Sequence, residues 1–237
     1  WEGIMFSAGS ANLCKLFGIS VPILQGGMAW ASDAVLASAV SRAGGLGVVG
    51  CGGRDARWII EQAKLATNIT SCPVAFNFPL EGMDFELVEK SMSETIDLGI
   101  DIFTLSGSQL YTKILNDFSE RATIIPLVGT VMQAKLAERA GAKAIICEGQ
   151  ESGGTIGKLS LFSLLPQITD AVSIPVIAAG GIADGRGINA ALSLGASGVQ
   201  LGTRFLASDE CPISDLYKDR ILKAKDISTS VIFGSIG

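Results

Sequence analysis

The chain has 237 residues, 48% of them hydrophobic and only 17% charged, and its net charge of -5 is spread along it without blocks. No basic stripe is present to track a phosphate backbone, which argues against nucleic acid as a partner. The five cysteines (Cys14, Cys51, Cys72, Cys147, Cys211) are widely spaced and include no CxxC pair, so neither a disulfide framework nor a metal site is expected, and a reducing, cytoplasmic setting fits them.

The longest apolar runs, such as "SIPVIAAGGIA", are too short to span a bilayer and are broken by glycine. The first residues, "WEGIMFSAGS", lack the basic stretch and continuous apolar core of a signal peptide.

Short apolar, β-branched runs alternate with amphipathic stretches. "VPILQG" (21–26) reads as a buried strand followed by a helix over 32–43. "LGVVG" (46–50) is the next strand, with a helix over about 55–67. "CPVAFNF" (72–78) follows, then a helix through "DFELVEKSMSETIDLG".

The rhythm continues with a strand at "DIFTLSG" (101–107) and a helix at "SQLYTKILNDF". "TIIPLVG" (123–129) is a strand, and "TVMQAKLAERAG" a helix ending on a glycine cap. "AKAIICEG" is a strand, and "LSLFSLLPQITDAV" holds a helix that Pro166 is expected to interrupt or shift. "SIPVIAAGG", "DGRGINAALSLG" and "SGVQLGT" complete the series as strand, helix and strand.

About eight βα units predict a single domain over 1–237 with a TIM (β/α)8 barrel, an α/β fold of parallel strands enclosed by helices. A doubly wound open sheet would need fewer strands.

In such barrels the chemistry lies where strands end and loops begin. Those ends read "QGGMAW", "VVGCGG", "FNFPLEG", "LSGSQ", "VGT", "CEGQESGGTIG", "AAGGIADG" and "LGTRF". The last two follow the seventh and eighth strands, a common phosphate site of barrels. Gly180, Gly181, Gly202 and Thr203 could supply backbone amides and one hydroxyl to a phosphate, although glycines there could also serve only as turns.

"QGGMAW" could lay flat backbone and the flexible Met28 thioether against a planar ring, or Met28 could simply fill the core. Asn77, polar at an apolar strand end, could bond a ring edge or make a structural turn. Trp30 reads as a packing residue, and Cys147 as a buried small hydrophobe. Arg204 could pair with a phosphate or with an acidic neighbour, and Glu151 reads as structural rather than as a proton carrier.

Six ordered motifs, "PILQGGMAW", "AVSRAGGLGVVG", "ICEGQESGGTIG", "IPVIAAGGIADGRG", "LGASGVQLGTRF" and "ILKAKDI", together resemble the enoyl-acyl-carrier-protein reductase II and nitronate monooxygenase family. The resemblance implies an FMN-containing TIM barrel. It implies that Gly26, Gly27 and Met28 line the flavin ring and that Asn77 and Glu148 face its polar edge, with Gly153 in the same cofactor-binding set. It likewise assigns Gly180, Gly181, Gly202 and Thr203 to the phosphate.

The "GGMAW", "IADGRG" and "ILKAKDI" motifs lie nearer the reductase branch, which implies NADH or NADPH as reductant, an acyl thioester (free or carrier-bound) as substrate, and a role in fatty acid synthesis. Relatives are often dimers, so a homodimer is left open.

The chain departs from the family in two places. The family loop reads "ESGGH", but here its last position is Thr155, and the chain contains no histidine at all. It also ends at "VIFGSIG", where relatives continue into a segment that helps cover the flavin.

Enoyl reduction requires a proton at the α-carbon and a donor for the acyl carbonyl. Thr155 can donate a hydrogen bond but is too weak an acid to deliver its proton unaided, so a relay through Thr155 or Ser152 is the catalytic expectation. Three alternatives stand beside it. They are nitronate oxidation, a flavin-binding homologue with little turnover, and a nucleotide-acting barrel of the IMP dehydrogenase type, which would need a nucleophilic cysteine.

Overall fold

Several helices in this chain begin where a side-chain oxygen replaces the missing partner of the first amides. Asp33, Asp55, Asp84, Thr130 and Asp184 each accept a hydrogen bond from an amide two or three residues on. The computed structural model describes residues 7–107, 111–154 and 157–230.

A first helix, α1 (Ala8–Phe17), precedes the alternating units. The first four are β1 (Ile23–Gln25) and α2 (Ala34–Arg42), β2 (Gly47–Gly50) and α3 (Ala56–Ile69), β3 (Val74–Pro79) and α4 (Phe85–Asp97), and β4 (Ile102–Ser106) and α5 (Tyr111–Phe118). The next three are β5 (Thr123–Val128) and α6 (Val131–Arg139), β6 (Ile145–Glu148) and α7 (Leu161–Thr169), and β7 (Val176–Ala179) and α8 (Gly185–Ser193). After β8 (Gly198–Leu201) come a short helix, α9 (Thr203–Leu206), and α10 (Asp215–Lys223).

All strand pairings are parallel, in the order β1-β8-β7-β6-β5-β4-β3-β2. The ring closes between β1 and β2, through the Leu24–Leu46 bridge and two backbone bonds of 2.9 and 3.0 Å joining Leu46 to Gln25 and Ile23. The expected (β/α)8 barrel is therefore observed.

The seam is short, and a side chain extends it. Gln25, fully buried, donates from Nε2 to the carbonyl of Val48 and accepts the Val48 amide at Oε1, both at 3.1 Å. Its carboxamide thus does for β2 what a further peptide unit of β1 would do.

Period-two alternation divides the strands between two cores. Leu24, Leu46, Val48, Ala75, Ile102, Ile125, Ala144, Ile146, Ile177 and Ala179 fill the barrel interior. Ile23, Val49, Phe76, Phe103, Ile145, Cys147, Val176, Val199 and Leu201 point outward against the helices. Leu13 and Phe17 of α1 join the interior set and so plug the barrel at the end where the strands begin. Gly198 makes room for that plug, since a Cβ there would lie 2.5 Å from Leu13 Cδ2.

Among the described residues, boundaries agree with the sequence reading to within a few residues, and α6 ends on Gly141 at φ 94 as expected; the first three residues of the helix expected at "SQLYTKILNDF" lie outside the described residues. Pro166 does not interrupt its helix, because α7 runs through it. Proline removes the bond to the carbonyl four residues earlier, and the Gln167 side chain supports the disturbed turn by donating to the Ser163 carbonyl at 2.7 Å. Among the described residues, no helix is long and apolar enough to cross a membrane.

Candidate active site at the C-terminal mouth of the barrel

The alternation that defines the interior core also fixes what lies on top of it. Two residues beyond interior Ala75, Ile102 and Ile146 come Asn77, Thr104 and Glu148. Gln200 lies between the outward-facing Val199 and Leu201 and so faces inward as well. These four side chains form a polar layer over an apolar barrel, at the end where the βα loops gather.

Asn77 is held rigidly. Its Nδ2 donates to the Thr104 carbonyl at 3.2 Å and to Thr104 Oγ1 at 2.9 Å. A carbonyl can only accept, so the amide nitrogen must face Thr104 and the oxygen Oδ1 is turned the other way, ready to accept.

Gly27 lies against the same residue, where a Cβ would come within 2.3 Å of Asn77 Cβ. Only glycine lets the first loop approach this closely. Gly26 packs beside Gln200 in the same manner, and its amide donates to the Leu201 carbonyl at 2.9 Å.

Met28 anchors a closed turn. Its carbonyl accepts from the Ala31 and Ser32 amides and from the Ser32 hydroxyl, which in turn accepts the Met28 amide at 2.8 Å. Its sulfur reaches towards the last loop, 3.7 Å from where a Gly202 Cβ would sit. The first and eighth strand ends are thus in contact.

Beyond β7 and β8 the chain leaves the sheet at adjoining points, because Ala179 pairs with Gln200 and neighbouring strands lie ~4.8 Å apart. Gly180 and Gly181 take φ values of 118 and 67, in the left-handed region that disfavours any other residue. The amides of Gly180, Gly181 and Gly202 donate to no acceptor among the described residues. Gly181, Thr203 and Arg204 are exposed, and Arg204 has no ion pair among the described residues. A cluster of unpaired N–H groups at the mouth of a barrel suits a phosphate, and the residues present fit one.

The β6 loop closes the other side. Ser152 Oγ donates to Glu148 Oε1 at 2.8 Å, and burial pushes the Glu148 carboxyl upward while that hydrogen bond pulls partly back. Glu151 is structural, because both its oxygens accept the Leu161 amide, at 3.2 and 2.9 Å, at the first turn of α7. Gly153 is exposed beside this turn, and Thr155 lies outside the described residues.

Cys147 faces the helices, fully buried, with its thiol pushed up to about 12 chiefly by burial. It cannot serve as the nucleophile of a nucleotide-acting barrel. No group of metal-ligating side chains is present among the described residues.

Sequence reasoning missed Thr104, Gln200 and Gln25, each a polar residue inside an apolar strand run. For Thr104 and Gln200 the signal was the interior parity they share with Asn77 and Leu24, whereas Gln25 lies on the opposite face from Leu24 and its role is set by the β1–β2 seam. It also treated Trp30 as packing, whereas the indole is 61% exposed at φ 65 and covers the Arg54 guanidinium.

The family model for nitronate monooxygenase matches residues 10–125 and 117–233. The chain belongs to the nitronate monooxygenase family. This is a family of flavin-dependent oxidoreductases on TIM barrels, and membership implies FMN.

The chain is 36% identical over 216 residues to a (3aS,4S,5R,7aS)-5-hydroxy-7a-methyl-1-oxo-octahydro-1H-indene-4-carboxyl-CoA dehydrogenase of Mycobacterium tuberculosis, covering 90% of this chain and 60% of that protein. It is 32% identical over 268 residues to a probable nitronate monooxygenase of Staphylococcus saprophyticus, covering 94% and 75%. Among solved structures, FabK from Thermotoga maritima superposes with a TM-score of 0.85 at 41% identity, covering 90% of this chain and 68% of that one.

Proposed function

We propose that this chain is an FMN-dependent oxidoreductase that reduces the enoyl double bond of an acyl thioester, with NADH or NADPH as reductant. The observation that carries the proposal is the pairing of unpaired amides after β7 and β8 with a fixed polar layer on the barrel top that contains no cation.

FMN would be held with its phosphate at Gly180, Gly181, Gly202 and Thr203, and its ring against Gly26, Gly27 and Met28 with Asn77 Oδ1 at a polar edge. When bound, it supplies the hydride chemistry that no side chain here can provide.

The chain's own residues supply orientation and the proton. Thr104 fixes the amide of Asn77, so the acceptor it offers is already in place before ligand arrives. Ser152 Oγ stands 2.8 Å from a carboxyl whose ordinary range is shifted upward, so Glu148 and Ser152 form a proton-carrying pair in a chain without histidine. Thr155 supplies a further hydroxyl in this loop.

The same layer disfavours the rival reading. An alkyl nitronate is an anion, and among the described interior positions at the strand tops it would meet no lysine or arginine to balance its charge. A neutral thioester needs no such counter-charge. The likeness to FabK, an enoyl-ACP reductase II, and to a CoA-thioester dehydrogenase supports the thioester reading.

Anaerobic mixing of flavin-loaded protein with NADH or NADPH should bleach the flavin, and crotonyl-CoA should restore its colour. A flavin that ignores both nicotinamides but is reduced by alkyl nitronates would establish the monooxygenase reading instead. Thr155→His should raise the rate of crotonyl-thioester reduction if the loop hydroxyls stand in for an imidazole.

A further inference from the structure

At the rim of the same mouth, between the β1 and β2 loops, one side chain is held in a way the flavin does not explain. The Arg54 guanidinium carbon lies 3.8 Å from the ring centroid of Trp30 and 4.3 Å from that of Trp58, so the cation packs against both indoles. Its Nε is buried without a partner, and no carboxylate lies within ion-pairing distance among the described residues. The nearest acid in sequence, Asp55, is engaged at the N-terminus of α3, accepting the Trp58 amide at 2.8 Å.

With two indoles against the guanidinium and its Nε buried, the edge bearing Nη1 and Nη2 is the part left to meet a ligand. That planar fork matches two oxygens of a phosphate, and stacking fixes its orientation at low entropic cost. The backbone is shaped for the stack. Trp30 takes the left-handed conformation that a non-glycine residue rarely adopts. Gly53 lets the indole lie against the β2 loop, since a Cβ there would sit 3.1 Å from Trp30 Cζ2.

The ring order places this cation away from the amides assigned to FMN. Around the barrel the strands run β2-β1-β8-β7, so the β2 loop and the β7 and β8 loops flank β1 on opposite sides. A phosphate at Arg54 therefore belongs to a second ligand.

Resting on the enoyl reductase reading, we infer that Arg54, clamped by Trp30 and Trp58, reads a phosphate of a co-substrate entering over the β1 loop. The chemistry is a phosphate mono- or diester, carried by the nicotinamide dinucleotide or by the phosphopantetheine arm of the thioester.

The test uses flavin-loaded protein, with NADP+, pantetheine 4′-phosphate and phosphate-free pantetheine titrated calorimetrically into wild type, Arg54→Met and Arg54→Lys. Methionine keeps an unbranched chain between the indoles, and lysine keeps the charge without the fork. Arg54→Met should weaken NADP+, pantetheine 4′-phosphate or both by fivefold or more. The one affected identifies the source, Arg54→Lys should fall between, and phosphate-free pantetheine should be unchanged.

Changes below fivefold for both phosphate ligands would overturn the inference, as would wild type that binds neither. A purely structural role would lower the melting temperature and leave this selectivity intact. Because binding is read without turnover, failure of the enoyl reductase activity would show separately, as a flavin that neither nicotinamide reduces.

Discussion

Ser152 and Glu148, four residues apart across the β6 loop, are joined by a 2.8 Å hydrogen bond from the serine hydroxyl to the carboxyl oxygen Oε1. Both lie at the mouth of the barrel, beside the Gly180 turn, where a Cβ would come 3.2 Å from the Ser152 amide. In a chain without histidine this pair is the most direct candidate for proton delivery.

Ser152→Ala should therefore reduce kcat for crotonyl-CoA by roughly 10²-fold, the lower end of what general acid help contributes, with KM little changed. Steady-state kinetics at neutral pH measures this. An unchanged kcat would place the proton donor elsewhere in the loop.

Glu148 should leave a pH signature in stability. Its folded pKa is raised, mainly by burial, so the native state binds the proton more tightly than the unfolded chain. Its favourable contribution is complete below the unfolded value of about 4.3 and is lost as pH rises through the folded one. Wild type should thus lose stability relative to Glu148→Gln as pH rises from about 4 through the raised folded value. Parallel melting curves for the two proteins over that range would contradict the burial.

The seam between β1 and β2 depends on the Gln25 carboxamide. Gln25→Leu keeps the volume but leaves the Val48 amide and carbonyl without those partners, at a cost of roughly 2–4 kcal/mol for two buried groups. Chemical denaturation should show the loss. A change below about 0.5 kcal/mol would mean that the backbone bonds at Leu46 close the barrel unaided.

Glu151→Ala should separate capping from catalysis. It removes the carboxylate that accepts the Leu161 amide, and loss of such a cap costs about 1 kcal/mol. Thermal melting should register it, while kcat measured below the melting range should fall by less than about threefold. A large loss of kcat would return Glu151 to the chemistry.

Much of the fold was legible because strands buried on both faces appear as apolar runs, and a glycine lies at or shortly past each strand end. Gly180, Gly181 and Gly202 were legible as a group because two consecutive loops carried the same signature. What escaped was set by tertiary packing. The α1 helix precedes the first strand and belongs to no βα unit, so its Leu13 and Phe17 acquire meaning only under a barrel that they plug. Thr104 and Gln200 look like interruptions of a strand until the ring places them beside Asn77 and Gly26. Pro166 suggested a break, but one missing bond in a short helix is tolerated where Gln167 supports the turn. The stack of Trp30 on Arg54 joins residues from different loops, and no local pattern announces it.

The account rests on FMN occupying the mouth of the barrel, and titration of the purified, flavin-depleted protein with FMN under absorbance tests it most directly. One equivalent should bind with a shifted flavin spectrum, and substituting alanine for Gly181, which sits at φ 67, should weaken that binding at least tenfold. A protein that takes up no FMN, or a Gly181→Ala variant that binds it as tightly as wild type, would contradict the account.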